Sequence, residues 1–365
     1  MRSLRPIALL LTTVSASIAA AEAPPSLRQL GEARQLLVGT AVKPTPLAKE
    51  APYRDTLLRH FAIITPENEM KMKRTRPTVD QWRLEEADAV VAFAAKHRLL
   101  VRGHTLIWNA DQHSPRWLLD QPADRATGER LMREHIFTML ARYRGAVRDW
   151  DVVNEAISNE NRAGVSPYVD GWWLRAMGED YIAAAFHLAR EADPAARLFY
   201  NDYDHGQALG PKSDRIYALL QKLKADGVPV DGVGLQMHCN LEKPPVKEAM
   251  VRNFRRLAAL GLRVQVTELD VEIMTAPGSL QERLAQQAKI YRDVFAAALE
   301  SGCVEAVVMW GFTDKFRQTG LLTRKKLPDQ DTPMWLFDAS YRPKPAFHAV
   351  VEVLGASPPE SAGLR

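Results

Sequence analysis

Eight times between residues 36 and 314 a short β-branched run ends in polar or charged side chains and gives way to a stretch with helical spacing. The runs cover 36–42, 61–66, 100–108, 150–155, 198–204, 230–238, 264–270 and 306–314. A strand buried on both faces reads as such a run, and parallel strands need a crossover helix between them. Three helices are especially legible. Residues 81–97 place Leu84, Ala87, Val90, Val91 and Ala94 on one face, 181–192 reads the same way before Asp193-Pro194, and 280–299 carries Leu284, Ala288, Tyr291 and Val294. Eight strands alternating with helices predict an α/β fold, a (β/α)8 TIM barrel. The rival doubly wound sheet wants a glycine-rich phosphate turn after its first strand, and GTAVKP at 39–44 is not one.

No Ser/Gly tract, proline run or compositional shift interrupts residues 27–355, so a single domain is expected. The first residues read as a signal peptide. Arg2 and Arg5 precede an apolar run at 7–14, and Ala21 or Ala23 offers a small-residue cleavage site. Thr12, Thr13, Ser15 and Ser17 keep that run below the roughly 20 apolar residues of a membrane span. The expected layout is a signal at 1–23, a catalytic domain at 24–356 and a tail at 357–365. The mature chain is then exported, to the periplasm or the medium, with no membrane attachment after cleavage.

The 48 Lys and Arg residues against 44 Asp and Glu leave only +4, and cleavage after Ala21 lowers this to +2. Without a clustered basic face, nucleic acid is not an expected partner. Two cysteines exclude a disulfide scaffold. Cys239 follows the sixth run and Cys303 precedes the eighth, at opposite ends of a barrel, so two free thiols are expected. No HExxH or comparable cluster points to a metal, and no cofactor is expected.

Strand C-termini and the loops after them build the active site of such a barrel. Here they offer Glu67, Asn68, Glu69 and Lys71; His104 and Trp108; Asn154 and Glu155; Asn201, Asp202 and Tyr203; Gln236 and His238; Glu268 and Asp270; Trp310 and Asp314. Hydroxyls of a sugar ring want amide, carboxylate, ammonium and imidazole partners, and its C–H faces want an indole. Two carboxylates on different strands can then cleave a glycosidic bond, one protonating the leaving oxygen while the other attacks carbon or activates water. Asn154-Glu155 and Glu268 in the run TELD are the natural candidates. By contrast His60, His97, His135, His187 and His348 read as structural, and for Trp82, Trp117, Trp172 and Trp173 a core or packing reading is at least as good as a sugar platform.

The segments WDVVNEAISN at 150–159 and VTELDVEI at 266–273 resemble the acid/base and nucleophile segments of glycoside hydrolase family 10, the endo-β-1,4-xylanases. The likeness continues in order through ENEMKMK (67–73), VRGHTLIW (101–108), FYNDYD (199–204), DGVGLQMH (231–238), MWGFTD (309–314) and LFDASYRPKPAF (336–347). The resemblance implies a retaining endo-β-1,4-xylanase with Glu155 as acid/base and Glu268 as nucleophile, their carboxyl groups about 5 to 5.5 Å apart. It further implies that Asn154 bonds the sugar 2-hydroxyl in subsite −1, that His238 orients Glu268, and that Asp270 fixes the imidazole. Glu67, Asn68 and Lys71 would read subsite −2 and His104 subsite −1. Gln236 would lie near the nucleophile, Trp108 and Trp310 would line the glycone side, and Tyr203 would form an aglycone platform. The implied partner is xylan or xylo-oligosaccharide, acted on by a monomer.

Three departures bear on specificity. The tryptophan usual a few residues after the eighth strand is replaced near Gln318, with Phe316 and Trp335 as candidate substitutes. The usual W-H-x-Q-x-P-x-W stretch is altered and longer, reading WNADQHSPRW at 108–117, and a charged segment KKLPDQDTP occupies 325–333. Two alternatives therefore stay open: the same barrel acting on mixed-linkage glucan or short aryl glycosides, and a non-catalytic sugar-binding barrel.

Overall fold

The computed structural model describes residues 25–160, 162, 164–204, 209–316 and 333–356. The expected signal (1–23), the C-terminal tail, Gln318 and nearly all of the 325–333 segment lie outside the described residues. Eight parallel strands close on themselves: β1 (Leu37–Val42), β2 (Ile63–Pro66), β3 (Leu100–Gly103), β4 (Asp149–Asn154), β5 (Arg197–Asp202), β6 (Gly232–Leu235), β7 (Arg263–Glu272) and β8 (Val304–Met309). Each pairs with its sequence neighbours, and β8 returns to β1 through Leu37 opposite Ala306 and Thr40 opposite Met309. The expected (β/α)8 barrel is the observed fold.

Helices cover the outer wall. Ala51–His60 follows β1 and Glu85–His97 follows β2; Arg125–Tyr143, Asp180–Ala192, Pro211–Ala225 and Lys247–Ala258 follow β3 to β6, and Leu280–Ser301 follows β7. The last, Pro345–Gly355, packs on Leu280–Ser301 and on the opening helix Leu27–Ala33, which brings the two ends of the described chain together. Two expected boundaries move. Residues 81–84 stay outside the helix expected from 81, because Gln81 bridges to Thr78 and Trp82 stacks on His135. Leu280–Ser301 runs two residues past 299, to Gly302, whose φ of 70° ends it in the left-handed region.

The barrel interior holds an aliphatic cluster and a polar network. Ile63, Ala306 and Val308 fill one side. On the other, Arg102 reaches across from β3 to β7, its Nη1 donating to Gln265 Oε1 at 2.7 Å, while Nη2 pairs with Asp151. Gln265 Nε2 donates to Asp149 Oδ2 at 3.0 Å, and Arg148 and Arg197 complete the neutralisation of Asp149. Arg102, Asp149, Asp151 and Gln265 are all buried. Room for the guanidinium comes from Gly234, where a Cβ would lie 2.2 Å from Asn201 Oδ1 and 2.9 Å from Arg102 Nη2. Removing one partner from so buried a pair costs about 3–5 kcal/mol. Cys239 and Cys303 are both free thiols.

Candidate active site

The strand ends carry the site, and the backbone there departs from regular strand geometry. β4 stops at Asn154, and Glu155 takes a φ of 54°, which an unbranched non-glycine residue adopts only when its surroundings enforce it. Its own N–H is fixed by the Asn201 carbonyl at 2.8 Å. Two of the expected runs are interrupted at the same level. The 100–108 run breaks at His104–Leu106 and resumes as Ile107–Trp108, which pairs with Val153–Asn154 of β4. The 230–238 run breaks at Gln236 and Met237, whose φ is 61°, and resumes as His238–Asn240 beside the end of β7. Beyond these breaks Trp108 and His238 both line the cleft.

Glu155 is held at both oxygens. Trp108 Nε1 donates to Oε2 at 3.0 Å, and Gln236 Nε2 donates to Oε1 at 2.8 Å. Burial pushes its pKa up against the Gln236 bond, and the nearby charges of Asp202 and Glu268 push the same way. Glu268 sits in the opposite field. Burial works against its charge, but His104, His238 and Lys71 outweigh that and hold it down at about 2. Asn201 Nδ2 donates to Glu268 Oε1 at 2.8 Å, and His238 Nε2 donates to Oε2 at 3.2 Å. The other nitrogen of His238 donates to Asp270 Oδ2 at 2.9 Å. Burial disfavours the imidazolium, yet Asp270 and Glu268 on its two sides raise its pKa well above the usual value.

A cleft of about 830 Å³ opens over these groups. It is lined by Asn68, Lys71, His104, Trp108, Glu155, Tyr203, Gln236, His238, Glu268 and Trp310 of the expected set. Three expected residues do not line it. Asn154 is buried behind, its Oδ1 accepting from Asn201 at 2.8 Å and from Gln236 at 3.4 Å, while its Nδ2 has no partner among the described residues. Asp270 lies behind His238. Glu67 faces a smaller pocket behind Trp310, shared with Lys43, Phe316 and Trp335, and burial pushes its pKa up to about 7. Phe316 packs edge-on against Tyr53 and Trp335 lies over Gly311, so neither lines the main cleft. Trp82, Trp117, Trp172 and Trp173 stay outside it too, as packing residues. Among the described residues no group of three or more His, Cys, Asp or Glu side chains is arranged to hold a metal ion.

Several contributors carry no legible signal in the sequence. Asp151 accepts from His104 Nδ1 at 3.0 Å, and Arg102 neutralises Asp151 from below. Lys212, on the helix that follows β5, places its ammonium 3.1 Å from Asp202 and over the Tyr203 ring at 3.3 Å. Asn159 Nδ2 donates to the Tyr203 hydroxyl at 2.8 Å, so Tyr203 is clamped from two sides. The lengthened 108–117 loop is anchored by Asn109 Oδ1 on Trp173 N at 3.0 Å and by Asp111 on Trp172 N and Arg175. It lays His113 flat on Trp108, with ring centroids 3.8 Å apart, and adds Gln112 and His113 to the cleft wall.

Comparison with known proteins agrees with this geometry. The chain is 34% identical over 359 residues to endo-1,4-beta-xylanase B of Thermotoga neapolitana, covering 97% of this chain and 98% of that one. It is 37% identical to endo-1,4-beta-xylanase C of Paenibacillus barcinonensis over 90% of this chain, which spans only 31% of that larger protein. Its structure superposes with a TM-score of 0.83 on xylanase 10B of Thermotoga petrophila RKU-1 in complex with xylobiose, at 34% identity over 92% of this chain and 99% of that one. Residues 26–353 match the model of glycosyl hydrolase family 10, and the chain belongs to that family.

Proposed function

We propose that this protein is a retaining endo-β-1,4-xylanase that cleaves internal bonds of xylan or xylo-oligosaccharides. The observation that carries the reading is the pair Glu155 and Glu268, in one cleft with their pKa values pushed in opposite directions. Glu155 keeps a proton and gives it to the leaving oxygen. Glu268, ionised, attacks the anomeric carbon and forms a glycosyl-enzyme ester. Loss of the Glu268 charge removes one of the groups that raise Glu155, so Glu155 gives up its proton and then draws one from the water that hydrolyses the ester.

The remaining roles follow from the contacts. Gln236 and Trp108 fix where the Glu155 proton points, and His238 and Asn201 fix the lone pairs of Glu268. The unpartnered Nδ2 of Asn154 is a donor for the 2-hydroxyl of the sugar in subsite −1, a bond that strengthens in the transition state. Trp310 and the Trp108–His113 stack offer flat faces, with Lys71 and Asn68 as hydroxyl partners beside them. Incubation with xylan, a soluble cellulose derivative and mixed-linkage glucan, followed by product sizing and NMR of the first-formed anomer, tests this. Xylo-oligosaccharides released initially as β-anomers are expected. Glucan-only products, α-anomers or binding without products each overturn the reading.

Export of a monomer belongs to the same proposal, since the substrate is a polymer outside the cell. The mass of the protein recovered from its native host is expected to place the first residue at Glu22 or Pro24, after Ala21 or Ala23. An intact Met1 in the active protein would contradict export by cleavage.

A further inference from the structure

The cleft wall is electrically lopsided. Among its described lining residues the carboxylates are Glu155 and Glu268, both committed to the reaction, whereas Lys71, Lys73 and Arg74 cluster at the end marked by Asn68 and Gln112. Lys71 is balanced: its Nζ donates to Asn68 Oδ1 at 2.9 Å and lies in the field of Glu268, Glu67 and Glu155. The other two are not. Lys73 is exposed, donates only to the Gln112 carbonyl at 3.1 Å, and has no carboxylate within ion-pair distance among the described residues. Two of its three donors stay unused. Arg74 meets Glu86 through one nitrogen at 3.4 Å with both side chains more than half exposed, a contact that contributes little.

The lengthened 108–117 loop meets this end of the cleft. The lengthened loop brings the Gln112 carbonyl over Lys73 and lays His113 on Trp108. Burial against the indole and the adjacent Lys71 and Lys73 hold that imidazole near a pKa of about 4, so it carries no competing charge at neutral pH. Unspent ammonium and guanidinium donors on the cleft wall are complementary to an anion. A neutral xylose unit supplies none.

We infer that the Lys73–Arg74 end of the cleft is a subsite for a carboxylate on the substrate, taking a hexuronic acid branch of the glycan. The inference rests on the xylanase reading. It places the branched sugar beyond Asn68 and Lys71, on the glycone side, so that cleavage falls at a fixed distance from the branch.

Two xylo-oligosaccharides of equal length test it, one bearing a glucuronic acid branch and one in which that carboxyl group is reduced to a hydroxymethyl. Wild-type kcat/KM should favour the acidic substrate about tenfold at low salt, with the preference collapsing at about 0.5 M NaCl. The acid-to-reduced ratio should fall towards one in Lys73→Ala, persist in Lys73→Arg and invert in Lys73→Glu. Mass spectra should show the branch on the glycone product. A wild-type ratio near one, or a ratio unchanged in both Lys73→Ala and Arg74→Ala, overturns the subsite while leaving the xylanase reading intact. Cleavage of neither oligosaccharide overturns both.

Discussion

Replacing Glu268 by alanine should lower turnover at least about 10⁴-fold on every substrate, aryl glycosides with excellent leaving groups included. The uniformity follows from chemistry. However easily the leaving group departs, the retaining route needs a carboxylate at the anomeric carbon, and Glu268 is the one held ionised with a pKa of about 2. The fold should tolerate the loss better than the activity does. Of the partners of Glu268, His238 keeps Asp270 and Asn201 keeps Thr267 and Asn154. Glu268→Gln, which preserves shape, should be nearly as inactive, and circular dichroism should show both variants folded. Steady-state rates on an activated aryl xyloside and on xylan give the readout. Retention of more than a few per cent of activity on the aryl substrate would remove Glu268 from the nucleophile role.

Much of this site is legible in the amino-acid sequence because strand ends and chemistry coincide. A barrel strand must be apolar until it leaves the core, so the switch from Val, Ile and Leu to Asn, Glu, His and Trp marks the catalytic rim directly. Asn154-Glu155 and Glu268 stand out in this way. Arg102 does not, because a barrel interior is expected to be filled by aliphatic layers, and only the space left by Gly234 lets a guanidinium lie there. Asp151 hides for the same reason: it reads as a mid-strand residue, yet alternation puts it inside, under His104. Lys212 is invisible because its partner Asp202 is met through the fold and not through spacing. The breaks before Trp108 and His238 escape notice because alternation alone reads straight through them, and only the backbone, with its positive φ at Met237, shows where the strand stops. Glu67 is a different case. Its place beside Asn68 in sequence suggests one shared surface, but it lines a smaller pocket that has Trp310 in common with the main cleft.

Glu155→Ala should behave unlike Glu268→Ala, and the contrast assigns the two roles. For xylan, whose leaving oxygen must be protonated, kcat/KM should fall about 10²–10⁴-fold. For a dinitrophenyl xylobioside, which departs without a proton, glycosylation should be nearly normal while hydrolysis of the ester loses its base. A burst of phenolate followed by a slow steady state is then expected. Azide, which needs no base, should enter the space vacated beside Gln236 and Trp108, restore turnover and give the β-glycosyl azide. The pH profile adds a sign. In the wild type Glu155 is raised by burial, with Asp202 and Glu268 adding to it, so kcat/KM should hold below that raised pKa and fall as pH climbs through it. Glu155→Ala should lose this alkaline limb, because no proton remains to be lost, while the acid limb set by Glu268 stays well below the ordinary carboxylate range. Equal losses across leaving groups, with no azide rescue and an unchanged alkaline limb, would show that another group protonates the leaving oxygen.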